Sequence, residues 1–421
     1  MAELIDRTGV SGKTRKHSDR RQLLLDAAAS QINAVGADNI DLAEIAEKIG
    51  FTRNALYYYV QDRDDMALLC FDQSSKALAS DLEGAAMPDT SPEEQIREFV
   101  RINLDPERKP LAVLSERYFL TSDKRDRITN EIHDVTLRLV EIFRTGSEAG
   151  QFRCIDPFIA ANCLLGMLNW VQLAPRWLGE PSTDEYRLRL TDAVLQLLFN
   201  GFGGPAAEMP FSLPEYQNFS SKPYNAFDRQ EATRAKQSQL VSTASQLFNR
   251  FGIDGTSIND IATGVGATKG AIYHYFQDKN EIVIACYERA FSIYRHFIEY
   301  ADTHGVTGFQ KAMLVHQLNC QAQASREAPL MLQSGLDALP DQIRAEFVAK
   351  SRSIWFDVQK FVSVGLSDES CRESDLKALT EVAVGTFAWL AKAEVQIDGY
   401  CPLQLANIIG DIVGTGILAS K

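Results

Sequence analysis

Two short stretches gather side chains that could do chemistry. Thr52, Arg53, Asn54, Tyr57 and Tyr58 fall within IGFTRNALYYYV (49–60), and Thr268, Lys269, Gly270, Tyr273 and His274 within VGATKGAIYHYF (265–276). A cation following a threonine, with phenols one turn later, is a set of hydrogen-bond donors with no nucleophile or acid–base pair among them. Such donors suit nucleic acid. Arg53 and Lys269 can donate to guanine edges and Asn54 can read adenine. Thr52, Thr268, Tyr57 and Tyr273 suit phosphate oxygens, which position a protein without specifying sequence.

Other chemistries are poorly represented. The chain has no Gly-rich phosphate loop, no metal-spaced cluster and no nucleophile elbow. His17, His133, His274, His296, His304 and His316 form no triad pattern, and the seven cysteines are odd in number and scattered. They are expected to be buried, reduced thiols, neither a disulfide framework nor a zinc site. No metal, no cofactor and no catalysis are therefore expected. A net charge of −13 argues against general nucleic-acid affinity. Arg7, Lys13, Arg15, Lys16, Arg20 and Arg21 nevertheless stand against Asp19 alone, a basic arm on an acidic body.

The donors need elements to aim them. Apolar spacing predicts helices over about 19–35, 41–48 and 52–59, with Ser18 or Asp19 capping the first and Asp41 the second. Gly50 supplies the left-handed turn that ends the second helix. In the third, Thr52, Ala55, Leu56 and Tyr59 share one side, which turns Arg53, Asn54, Tyr57 and Tyr58 the other way. Two short helices joined through a glycine turn make a helix-turn-helix, whose second helix enters a DNA major groove.

The whole arrangement occurs twice. GADNIDLAEIAEKIGFTRNALYYYVQDRDDM lies without a gap over GIDGTSINDIATGVGATKGAIYHYFQDKNEI, and even Cys70 returns as Cys286. A register held this long marks an internal duplication. Between the copies, GFGGPAAEMPFSLPEYQNFSSKPYNAFDRQ (201–230) has linker composition. Elsewhere helical spacing dominates, so the fold class is all-α. A looser echo sets DPFIAANCLLGMLNW over DLKALTEVAVGTFAW, with Asp156, Gly166 and Trp170 above Asp375, Gly385 and Trp389. Segments this apolar form a domain core, a subunit interface, or both.

The motif GIDGTSINDIATGVGATKGAIYHYFQDKNEI, with LVSTASQLFNRFG before it, resembles the DNA-binding domain of TetR-type transcriptional repressors. The first copy resembles it less fully. The resemblance implies DNA contacts at Thr256, Ser257 and Lys279 as well, with Arg63 standing where the second copy has Lys279. The first copy departs at Ile40 and Asp41, where a carboxylate would repel phosphate. It implies helix-turn-helix domains at 1–65 and 230–281, helical ligand-binding and dimerisation domains at 66–203 and 282–421, and a linker at 204–229. Two such units on one chain imply an intramolecular pseudo-dimer, further self-association being open. Some 25 linker residues reach at most roughly 80–90 Å, enough to return from an interface to the DNA end.

LLGMLNWVQLAPRWLGEPSTDEYRLRL further resembles helices of TetR-type regulators that sense acyl-CoA thioesters. This implies a small-molecule effector, an acyl-CoA among the candidates, with Trp170, Arg176 and Trp177 lining a pocket in the first copy. Arg176 suits a phosphate or carboxylate. The second copy lacks the NW…RW pattern, so its pocket is expected to be different or absent. The other reading makes Trp170 and Trp177 core or interface aromatics. The implied function is a sequence-specific, ligand-released DNA-binding regulator with two unlike readers; the alternatives are a helical adaptor working through protein contacts, or an enzyme. No apolar run reaching membrane-spanning length is read from the sequence, and its start lacks a signal-peptide core, so a cytoplasmic location is expected.

Overall fold

The computed structural model describes residues 8–87, 89–178, 183–208, 213–216, 229–253, 255–331, 339–392 and 399–419. Among these it is a helical protein without strands, apart from two isolated backbone bridges. The first half runs α1 (Thr8–Val35), α2 (Leu42–Lys48), α3 (Arg53–Tyr57), α4 (Arg63–Ala85), α5 (Pro92–Leu104), α6 (Ser122–Glu148), α7 (Pro157–Leu178) and α8 (Asp184–Asn200). The second repeats the order as α9 (Arg229–Phe251), α10 (Ile258–Gly264), α11 (Lys269–Tyr273), α12 (Lys279–His304), α13 (Gly308–Ala324), α14 (Asp341–Ser367), α15 (Leu376–Ala388) and α16 (Pro402–Thr415).

Local chemistry sets the short helices. Asp41 caps α2 by accepting from the Ala43 amide at 2.7 Å. Ser257 caps α10 in a reciprocal box with Asp260. Each is followed by a glycine at positive φ, Gly50 at 70° and Gly266 at 66°, a conformation that a Cβ disfavours. Thr52 and Thr268 then cap α3 and α11 through the Ala55 and Ala271 amides at 3.2 and 3.3 Å. The structure corrects two boundaries. Helix α3 is shorter than the expected 52–59. Helix α1 begins at Thr8, so Lys13, Arg15 and Lys16 extend a helix that was expected to start at Ser18 or Asp19; Arg7 lies outside the described residues. Lys and Arg are good helix formers, and nothing between them and Asp19 ends the helix.

The halves join along α7 and α15. A Cβ on Gly166 would run into the Gly385 carbonyl, and one on Gly385 into the Met167 backbone. Each glycine thus admits its counterpart in the other half. The chain ends cross over in the same reciprocal way. Beyond α8, the Arg372 amide donates to the Phe202 carbonyl at 2.8 Å; beyond α16, the Arg153 amide donates to the Ile417 carbonyl at 2.9 Å. Arg153 also pairs with Asp411, Arg189 with Asp375, and the Tyr186 hydroxyl donates to Glu381.

The segment read as linker is anchored at its start. Gly204 N donates to the Ser370 carbonyl at 2.8 Å, and Tyr216 is buried edge-on against Phe297. Residues 209–212 and 217–228 lie outside the described residues. One apolar run does reach membrane-spanning length, contrary to the expectation from the sequence. The window Pro157–Ala174 is long and apolar enough to cross a membrane by length and composition, but 61% of it is buried within the protein. Its apolarity serves the contact between the halves.

Candidate nucleic-acid interface and effector cavity

Helices α3 and α11 present the same local geometry. Leu56 and Ile272 point inward and are buried. Tyr57, Tyr58 and Tyr273 are 45%, 75% and 46% exposed. Arg53 lies over the Tyr57 ring at 5.8 Å, and Lys269 lies over Tyr273 at the same distance. Each cation is therefore held on a tyrosine face at the head of its helix. Asn54, Gly270, His274 and Arg63 are exposed beside them, and Lys279 is half-buried. A Cβ at Gly270 would meet open space, with Thr268 Oγ1 nearest at 3.9 Å. At this position the second face lacks the side chain that Asn54 gives the first. Tyr59 is half-buried against Phe51 and Tyr58, as its spacing implied.

Thr256 is a correction. It is 1% exposed, and its hydroxyl donates to the Gly252 carbonyl at 2.8 Å and approaches that of Leu247 at 3.2 Å. A hydroxyl closed onto its own turn offers nothing to a phosphate. Ile40 is buried at the corresponding place in the first copy. Ser257 is exposed, but its hydroxyl is taken up by Asp260 at 2.6 Å. Arg20 sits over Phe51 at 5.9 Å, a cation beside the first head that the spacing of α3 alone did not place there.

The cavity lies in the second half, whose pocket was expected to be different or absent. A space of about 210 Å³ is lined mainly by α12, α13, α14 and α15 of the second half. The first half closes it with Trp170, Ala174, Leu197 and Phe202. Trp170 thus lines a pocket, but the other copy's. The side chains of Arg176 and Trp177 lie outside the described residues. The wall is almost wholly carbon, and none of its described residues is Lys or Arg. Its polar groups are few. His316 bonds Thr386 Oγ1 at 2.8 Å, and burial lowers its pKa to about 4, so it is neutral at pH 7. Glu381 accepts from Tyr186 of the first half. The Trp355 indole N–H is buried without an acceptor. Sequence reasoning missed this group because its members come from separate helices with no shared spacing. No metal-holding cluster occurs among the described residues.

The family profile "Bacterial regulatory proteins, tetR family" matches residues 24–70 and again 240–286, and "Tetracyclin repressor-like, C-terminal domain" matches 89–198. The chain is 37% identical over 60 residues to the HTH-type transcriptional regulator AcrR of Shigella flexneri, covering 14% of this chain and 27% of that one. It is 35% identical over 65 residues to the transposon Tn10 TetC protein of Escherichia coli, covering 15% and 33%. The chain thus spans about a quarter to a third of the length of these curated relatives. A solved structure of AibR with isovaleryl coenzyme A and operator DNA aligns at 23% identity and a TM-score of 0.36, over 42% of this chain and 97% of that one. The TetR-family regulator PfmR of Thermus thermophilus aligns at 19% and 0.36, over 42% and 95%. With the regulatory domain matched twice, the C-terminal domain matched between those matches, and an all-helical fold that repeats its helix order, the chain belongs to the TetR family as two tandem units fused in one polypeptide.

Proposed function

We propose that the chain is a sequence-specific DNA-binding transcriptional regulator, a repressor released by a small-molecule effector, in which one polypeptide supplies both readers of an operator. The observation that carries this reading is the pair of capped helix-turn-helix faces, each with a cation seated on an exposed tyrosine. Residues 1–65 and 230–281 act as the heads; 66–203 and 282–421 form the shared body. Thr52, Thr268 and the tyrosines hold phosphates, while Arg53, Asn54, Lys269 and His274 meet base edges, with Arg63 and Lys279 behind them. Binding and release account for the chemistry present, and no catalytic role is assigned.

A homodimer repeats its reader and favours a palindrome. Here Arg53 offers a planar fork where Lys269 offers a point charge, and Asn54 offers an amide where Gly270 offers none. The operator is therefore expected to have unequal half-sites. Selection from random DNA should return a non-palindromic site. Arg53→Ala should relax one half only, at roughly 1–3 kcal/mol, and Lys269→Ala the other. A perfect palindrome, with both variants affecting both halves equally, would overturn the reading. An acyl-CoA effector would need cations for its phosphates, and the described cavity wall supplies none.

A further inference from the structure

The cavity permits a narrower statement about its occupant. Its volume of about 210 Å³ falls below the ~300–1,000 Å³ of pockets that take drug-sized ligands. The part of the ligand that sits inside must therefore be compact, and the carbon wall requires that part to be apolar. Leu379, Val384 and Phe387 from α15, Ile354 and Val358 from α14, and Val315 from α13 give it no partner for charge. Charge on the ligand would be costly to bury without one. The carboxyl on the described wall, Glu381, offers an anion no cation and is already bonded by Tyr186. His316, held neutral and tied to Thr386, supplies no compensating cation.

A donor on the wall does ask for a partner. The Trp355 indole can only donate, and its N–H is buried with no acceptor. Leaving such a donor unsatisfied is costly, and a ligand oxygen that reaches it, once a small turn of the indole uncovers the nitrogen, relieves that cost. We propose that the second half's cavity, closed by Trp170, Ala174, Leu197 and Phe202 of the first half, binds a small uncharged molecule. That molecule has an apolar, ring-sized body and a single acceptor, such as a ketone oxygen, for Trp355, and the cavity rejects carboxylates and CoA thioesters. Its use as an effector site rests on the regulator reading above. Because both halves build the wall, the occupant sits at the joint between the units, where binding can alter how α7 and α15 meet.

A matched pair of probes tests this on the full chain. 2-Acetylnaphthalene and 2-naphthoate share a ring and differ in a methyl ketone against a carboxylate; octanoyl-CoA is the third probe. Calorimetry without DNA should find the ketone binding once per chain, at least tenfold more tightly than either anion. Trp355→Phe keeps an aromatic, though smaller, side chain and removes the donor, and should weaken the ketone about tenfold. Val358→Trp should fill the space and abolish binding; thermal unfolding checks that each variant is folded. Tighter binding of naphthoate or octanoyl-CoA, or no ketone binding at millimolar concentration, would overturn the proposal. So would a Trp355→Phe variant that is folded and binds the ketone as the parent does. DNA occupancy is measured separately. Ketone binding that leaves DNA occupancy unchanged would sink the ligand-released reading and leave the site assignment standing.

Discussion

Arg53 and Lys269 occupy equivalent positions, and so do Ile40 and Thr256, yet only the first pair faces outward. At Thr256 the hydroxyl serves the turn between α9 and α10. Thr256→Val should cost about 1 kcal/mol of stability for the lost hydrogen bond. The cost stays modest because Ile40 shows that an apolar side chain fits the equivalent place. DNA affinity per folded molecule should not change, and titration of the variant against labelled operator checks that. A drop well beyond its unfolding loss would put the hydroxyl back at the phosphate. His316 gives a pH signature. Burial lowers its folded pKa to about 4, against an ordinary 6.5. Between those values the unfolded chain takes up a proton that the folded chain refuses. Stability therefore falls as pH drops from about 6.5 towards 4, by on the order of 3 kcal/mol at the limit, and is insensitive to this group above 6.5. Urea unfolding at pH 7 and pH 5 should show His316→Gln losing that part of the slope.

Helix packing depends on what the side chains leave room for. Helices α7 and α15 approach closely because Gly166 meets Gly385 where any Cβ would strike backbone, and backbone has no rotamer with which to yield. Gly166→Ala should destabilise the protein by about 1–3 kcal/mol or more, as overpacking does. Gly84→Ala is the control. That helical site has only Ile102 Cδ1 nearby, at 3.9 Å, and alanine is the better helix former, so it should be neutral or slightly stabilising. Thermal unfolding of the two variants side by side separates the effects. Equal midpoints would show that the glycine contact is not what holds the halves together.

At the scale of the molecule, the crossed chain ends give each half a share of the other's backbone bonding: Phe202 accepts from Arg372, and Ile417 accepts from Arg153. Reciprocal contacts of this kind are what a two-fold dimer makes between separate subunits. Covalent linkage raises the effective concentration of the second head to about millimolar, so one chain should suffice for one operator. Analytical ultracentrifugation of the complex should give one 46.9 kDa chain per DNA with protection over two half-sites about one helical turn apart. Two chains on a single pair of half-sites, each with a head unused, would contradict that arrangement.

The heads were legible in the sequence because their structure is local. Asp41, Ser257, Thr52 and Thr268 cap helices within four residues of themselves, and Gly50 and Gly266 reverse the chain at the expected places. The duplication, the all-helical class and the outward face of α3 and α11 follow from spacing alone. Whether Thr256 faced DNA or its own turn depended on carbonyls of Leu247 and Gly252 that only the folded turn brings near. The cavity was further beyond reach. Trp170 and Trp355, on α7 and α14, come to line one cavity only after the halves dock. A void is fixed by where packing stops, and no periodicity along a single helix records that.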